Sequence, residues 1–204
     1  MKKSILLLVS FLALAACSPT DSTPDNEQTP EEQPASTQKV SGLLEAAEIA
    51  DFEPAFATPW KPSPDASKEV TIEGRGETAS EEGEGILVVK DSTTNVSTLY
   101  SLSQFDEHES TFKYVTWIDE HRLFVIIGFA YGTVSQGGDL YILDIDTNTL
   151  SLAMEAGENE EFVSIALQWD GITFYFKKFI HDENFEDGRY EEGKFTLSSI
   201  GQNE

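Results

Sequence analysis

Between residues 68 and 200 the apolar residues fall in short runs rich in Val, Ile, Leu, Phe and Tyr, parted by Gly, Asp, Asn and Thr. That is the pattern of strands and turns. No stretch of this region repeats its apolar positions at the helical spacing. The runs predict strands over 69–73, 85–90, 96–102, 112–118, 122–129, 139–145, 149–154, 162–169, 172–180 and 193–198. Upstream, residues 40–52 (VSGLLEAAEIADF) predict one short helix without clear caps, with Leu43, Leu44 and Ala47 on one side. The expected fold class is therefore all-β, preceded by a short N-terminal helix.

The strands recur in a set order. Trp60, Trp117 and Trp169 lie 57 and 52 residues apart. Each is followed within five residues by an Asp (Asp65, Asp119, Asp170) and then by a strand: EVTIE, RLFVIIGF or ITFYFKKF. A Gly-rich or acidic excursion comes next, over 74–85, 130–138 or 181–193, and the chain returns as ILVVKD, LYILDID or KFTLSS. This order predicts an antiparallel four-stranded meander used about three times, stacked as a propeller-like or open sandwich arrangement. The spacing is close to the ~40–50 residues of propeller blades. Chance likeness among β-rich segments is the competing explanation, and three tryptophans in register weigh against it.

The N-terminus has a different pattern. Lys2 and Lys3 precede an uncharged apolar run over residues 5–16, which is shorter than the roughly 20 residues that span a bilayer. It fits the apolar core of a secretory signal. Leu14-Ala15-Ala16-Cys17 is similar to the lipobox of bacterial lipoprotein precursors. The resemblance implies cleavage before Cys17, lipid on the Cys17 thiol and retention on the outer face of the cell membrane. Two or more acyl chains anchor stably where one is marginal. Residues 1–16 are then the signal peptide and 17–39 an acidic tether rich in Pro, Thr and Glu. That tether has too little apolar area to offset the entropy of ordering, so disorder is expected. Residues 40–58 form the short helix and linker, and 59–200 the repeat domain.

The chain carries a net charge of −24. Removal of residues 1–16 leaves 11 basic and 37 acidic residues, a net charge of −26. So acidic a surface repels nucleic acid and anionic headgroups, which excludes both as partners. Cys17 is the sole cysteine, so no internal disulfide forms and the domain depends on its core.

The stretch from Trp60 to Leu197, about two thirds of the chain, resembles an uncharacterised family of Gram-positive lipoproteins, a domain of unknown function. The likeness rests on IEGRGE (72–77), EEG (81–83), VIIGFAYGTVSQGG (125–138) and LYILDIDT (140–147). The W-x-D or W-D-G turn, and G-x-L-Y-x-L-D-x-x-T from Gly138, are also similar to blades of six-bladed periplasmic propellers. The family likeness implies a membrane-anchored extracellular domain and brings no activity with it. True propellers close with at least four blades. Three repeats leave an open stack, a partly closed sandwich or closure by oligomerisation.

Enzyme signatures are thin. There is no G-x-S-x-G elbow, no phosphate loop, no H-E-x-x-H and no cysteine for catalysis or zinc, so no catalytic residue, metal site or cofactor is predicted. His108, His121 and His181 stand apart among acids in predicted turns, where solvated histidines are expected. Asp144, Asp146, Asn148 and Glu155 hold positions 1, 3, 5 and 12 of an EF-hand loop. Thr149 replaces the required Gly, and the flanks read as strands. Those residues are expected as turn formers. Gly128, Gly132, Gly137 and Gly138 bracket a loop that either relieves backbone strain or lines a groove. The leading expectation is a non-enzymatic binding or interaction module for an envelope protein, a peptide or a wall component. The alternatives are a hydrolase using acidic residues of the repeat loops, and a structural or accessory subunit of an envelope complex. An enzyme would gather carboxylates and a histidine around one pocket.

Overall fold

A computed structural model describes residues 44–103, 109–132, 134–168 and 170–200. Cys17, the signal segment 1–16, the tether 17–39, residues 40–43, His108 and Trp169 lie outside the described residues.

The chain builds three antiparallel sheets in succession, and none closes into a barrel. The first contains β1 (Leu44–Ala50), β2 (Lys61–Pro62), β3 (Lys68–Glu73), β4 (Ile86–Asp91) and β5 (Val96–Leu102), in the spatial order β1-β5-β4-β3-β2. The second is the meander of β6 (Ser110–Trp117), β7 (Arg122–Phe129), β8 (Asp139–Asp144) and β9 (Thr149–Met154). The third is the meander of β10 (Glu160–Leu167), β11 (Thr173–His181) and β12 (Gly188–Thr196). The expected four strands per repeat hold for the second sheet, whereas the first gains β1 and the third stops at three.

The sheets stack as layers, and β7 shows why. Five consecutive residues, Leu123 to Ile127, are buried. Leu123, Val125 and Ile127 join Val70, Ile72, Leu87 and Tyr100 in a core between the first and second sheets. Phe124 and Ile126 point the other way, to Phe162, Ile165 and Phe174 in a core between the second and third. A strand covered on both faces reads as an unbroken apolar run rather than an alternating one. Each such side chain contributes roughly 1.5–3 kcal/mol by leaving water. Phe124 meets Phe174 edge-on, with ring centroids 4.9 Å apart, a favoured aromatic geometry.

Two expectations need correction. The helix over 40–52 is not formed, because residues 44–50 are strand β1, paired with β5 from Leu44↔Leu102 to Ala50↔Val96. Ala and Glu favour a helix in isolation. Here the open edge of β5 offers seven residues of backbone pairing, and only Leu44 packs against the core. The acidic excursion after β11 is also shorter than expected. It turns within 182–187, and residues 188–192 already pair with His181 back to Lys177 as β12. Trp117 closes β6 and is buried, while Trp60 precedes β2 and is half-buried.

Candidate functional site

The loops that follow β3 and β7 meet the start of β12 at one edge of the stack. Gly83 N donates to Ala130 O at 2.8 Å, and Gly132 N donates to Glu82 Oε1 at 3.1 Å. Tyr190 Oη donates to Gln136 Oε1 at 2.8 Å. The buried Arg75 folds the acidic first loop around itself, donating to Gly83 O from Nη1 and to Ala79 O from Nη2, each at 2.9 Å.

Glycines let the second loop lie against the third sheet. Gly138 N donates to Phe162 O at 3.1 Å, and Phe162 N returns to Gly138 O at 2.8 Å, so two backbone bonds stitch the second sheet to β10. A Cβ at position 137 would stand 1.9 Å from Phe162 O, and one at position 138 would stand 1.9 Å from Ile127 O. No side chain fits there. Close backbone approach is what these glycines serve.

Below that seam lies a cleft of about 240 Å³ between the second and third sheets. Glu161, at the start of β10, lies in it with a side chain 13 % exposed. Its Oε2 accepts the N–H groups of Gln136 and Gly137 at 2.8 and 2.9 Å. Its Oε1 stands 3.6 Å from Nε2 of His181, the last residue of β11. His181 is buried between the rings of Phe179 and Phe185, at centroid distances of 4.8 and 5.1 Å. Asp139 accepts the Ala156 N–H at 2.7 Å. Burial pushes its carboxyl above the usual range; the Ala156 bond opposes this and the nearby Glu155 charge reinforces it. Glu160 pairs with Lys178 at 2.7 Å, which holds its carboxyl below the usual range. Glu158 is exposed at the rim. Four carboxylates and one imidazole thus line one recess.

Sequence reasoning singled out the glycine loop but missed His181, which it placed in a solvated turn. The structure corrects this: β11 runs to His181, and its ring is covered. The signal was the alternation, since His181 continues the face of Phe179. His121 does sit exposed in a turn, with Nδ1 2.7 Å from Asp146 Oδ2. The residues at 144–148 form a hairpin turn. Asp144 Oδ1 accepts from Thr147 N and Oγ1, each at 2.8 Å, and Asn148 takes a positive φ of 52°. Strands β8 and β9 flank them, as expected for turn formers.

A crystal structure of a Clostridium novyi protein described as a conserved lipoprotein is similar in fold, with a TM-score of 0.70 and 29 % sequence identity. The likeness covers 76 % of this chain and 96 % of that one. Among curated proteins, none matches the sequence. The family model for the domain of unknown function DUF4652 matches residues 19–197, and the chain belongs to that family.

Proposed function

We propose that the protein is a lipid-anchored binding module on the outer face of the membrane, without enzymatic activity, and that the cleft seats its ligand. Anchoring through Cys17 is supported by the lipobox-like LAAC and by the lipoprotein description of the Clostridium novyi neighbour. The binding reading rests on one observation: three of the cleft's four carboxylates are tied to the fold. Glu161 is bonded to two backbone N–H groups, Asp139 to Ala156 N, and Glu160 to Lys178. Such bonds make a rigid recess. The test is native mass spectrometry of intact, detergent-solubilised protein taken from its own envelope. A bound species should accompany the wild type and be lost from Glu158→Trp, whose indole fills the mouth. An empty wild-type cleft would overturn the reading.

A second reading has one observation in its favour. Carboxylates and a histidine around one pocket are what a hydrolase needs, and Glu161 stands beside the His181 imidazole as an orienting carboxylate does. Turnover of wall-derived peptide or glycan fragments, abolished by His181→Asn and Glu161→Gln, would establish that enzyme instead.

A further inference from the structure

Strand β1 is held by its backbone and little else. Six of its seven residues are exposed, and Leu44 alone packs against the core. Its composition, three Ala and two Glu among seven residues, favours a helix once the segment is free. Ala and Glu are depleted in strands, so the local preference opposes the docked form. Docking also brings Glu48 into a recess with Asp91 and Asp146, where Lys68 is the one cation. Like charges gathered there work against closure.

Ser97 supplies a separate argument. It stands on β5 between Ile49 of β1 and Lys90 of β4. Its hydroxyl is fully buried, and among the described residues it is the one buried side-chain polar atom without a hydrogen-bond partner. A hydroxyl sealed from water with no partner is costly. Lifting β1 opens the Ile49 side of Ser97 to water and removes that cost, so the closed strand carries a penalty that the open one lacks.

The chain is bolted immediately after β1. Asp51 N donates to Asn95 O at 3.2 Å, and Asn95 Nδ2 donates to Asp51 Oδ1 at 2.7 Å. Glu73 Oε2 accepts the Phe56 N–H at 3.0 Å, and Thr58 N donates to Ile72 O at 2.9 Å. We propose that β1 is a releasable strap, which peels from the edge of β5 as far as the Asp51–Asn95 clasp while the three sheets stay folded. A pull arriving from the N-terminal side meets Leu44 first, the strand's one core contact, and then the backbone pairs in succession. Residues 44–50 then join the chain that leads from Cys17 and lengthen it by about 24 Å, at some 3.4 Å per extended residue. That lengthening rests on the lipid-anchor reading above, whereas the peeling does not.

The experiment is hydrogen exchange of the intact, detergent-solubilised protein, read by mass spectrometry on fragments covering 44–50 and the central strand β7. The strap should be protected roughly a hundredfold less than β7, because it opens without the rest. Ile126→Val weakens the core between the second and third sheets and should lower β7 protection roughly threefold to tenfold. Protection of 44–50 should not change in that variant, since its exchange does not pass through unfolding. Leu44→Ala should lower protection of 44–50 about tenfold, through loss of the apolar anchor. Ser97→Ala should raise it about tenfold, because the closed strand no longer seals an unpaired hydroxyl. A strand that is merely structural gives no such gain, as alanine is the poorer strand former. Equal protection of 44–50 and β7, a joint fall of both in Ile126→Val, or no gain in Ser97→Ala would each overturn the proposal. Cys17→Ser leaves this exchange pattern as it is, so failure of the anchor and failure of the strap are read separately.

Discussion

The indole Nε1 of Trp117 donates to the carbonyl of Lys61 at 2.8 Å, and the Lys61 ammonium donates to Val115 O, two residues before Trp117, at 2.7 Å. This reciprocal clasp ties β2 of the first sheet to β6 of the second. The Lys61 ammonium also lies over the Tyr114 ring at 4.1 Å, so its charge has a π face as well as a carbonyl. The clasp closes the core on which both sheets pack.

Trp117→Ala should therefore cost about 3–5 kcal/mol, as large aromatic truncations in cores do. Trp117→Phe keeps most of the ring but leaves the Lys61 carbonyl without its donor, and should cost about 1–3 kcal/mol. Urea unfolding of the two variants checks both values. A Trp117→Phe variant as stable as the wild type would mean that the indole N–H contributes nothing.

The glycine seam makes a second prediction. Gly137→Ala places a methyl group 1.9 Å from Phe162 O, where only backbone can yield. The variant should lose about 1–3 kcal/mol, as overpacked cores do. It should also move the Gly137 N–H off Glu161. Gly157→Ala is the control, because its methyl would meet only the Glu160 side chain, at 3.1 Å. Thermal melts should separate the two by several degrees, and coincident melts would show that the seam opens freely.

The sequence announced some elements and concealed others for identifiable reasons. Residues 122–129 were legible as β7 because burial on both faces leaves a continuous apolar run. Strand β1 was not legible: LEAAEIA exposes all but Leu44, so its conformation comes from pairing with β5 and not from its own pattern. The start of β12 was hidden in the same way, since GRYEE is exposed and held in the sheet by its partner β11. At the cleft, the glycine cluster was visible as a cluster. Its purpose depended on Phe162 O, some 25 residues further on, which periodicity does not report. The Glu161–His181 pair is likewise a product of the third sheet's register.

Attachment through a single atom is the third prediction. If lipid on the Cys17 sulfur anchors the chain, Cys17→Ser should leave an uncleaved precursor or a released soluble form. Fractionation of cells expressing the variant, with detergent-phase partitioning of the product, measures it. Normal processing and retention of the variant would remove the lipoprotein reading.

The last prediction concerns Lys113, the bulged residue between Phe112 and Tyr114 on β6. It is 9 % exposed, and its Nζ donates to Ser135 O at 3.1 Å beneath the glycine loop. Burial pulls the ammonium down to about 8, the Arg75 charge pulls the same way, and Glu161 and Glu82 oppose them. In the unfolded chain the group titrates near 10.5. Below pH 8 both states hold the proton, and the cost of burying the charge is constant. Between about pH 8 and 10.5 the unfolded chain holds more protons than the folded one, so stability rises with pH. The rise should be on the order of 1–2 kcal/mol, after discounting for water that reaches the partly wet ammonium. Lys113→Met removes this group and leaves the other titrating residues in place. Subtracting the variant's urea-unfolding free energy from that of the wild type at pH 7, 8, 9 and 10 isolates the lysine. The difference should be flat to pH 8 and then climb in favour of the wild type. A difference that stays level to pH 10 would place the ammonium in water and detach it from the loop that roofs the cleft.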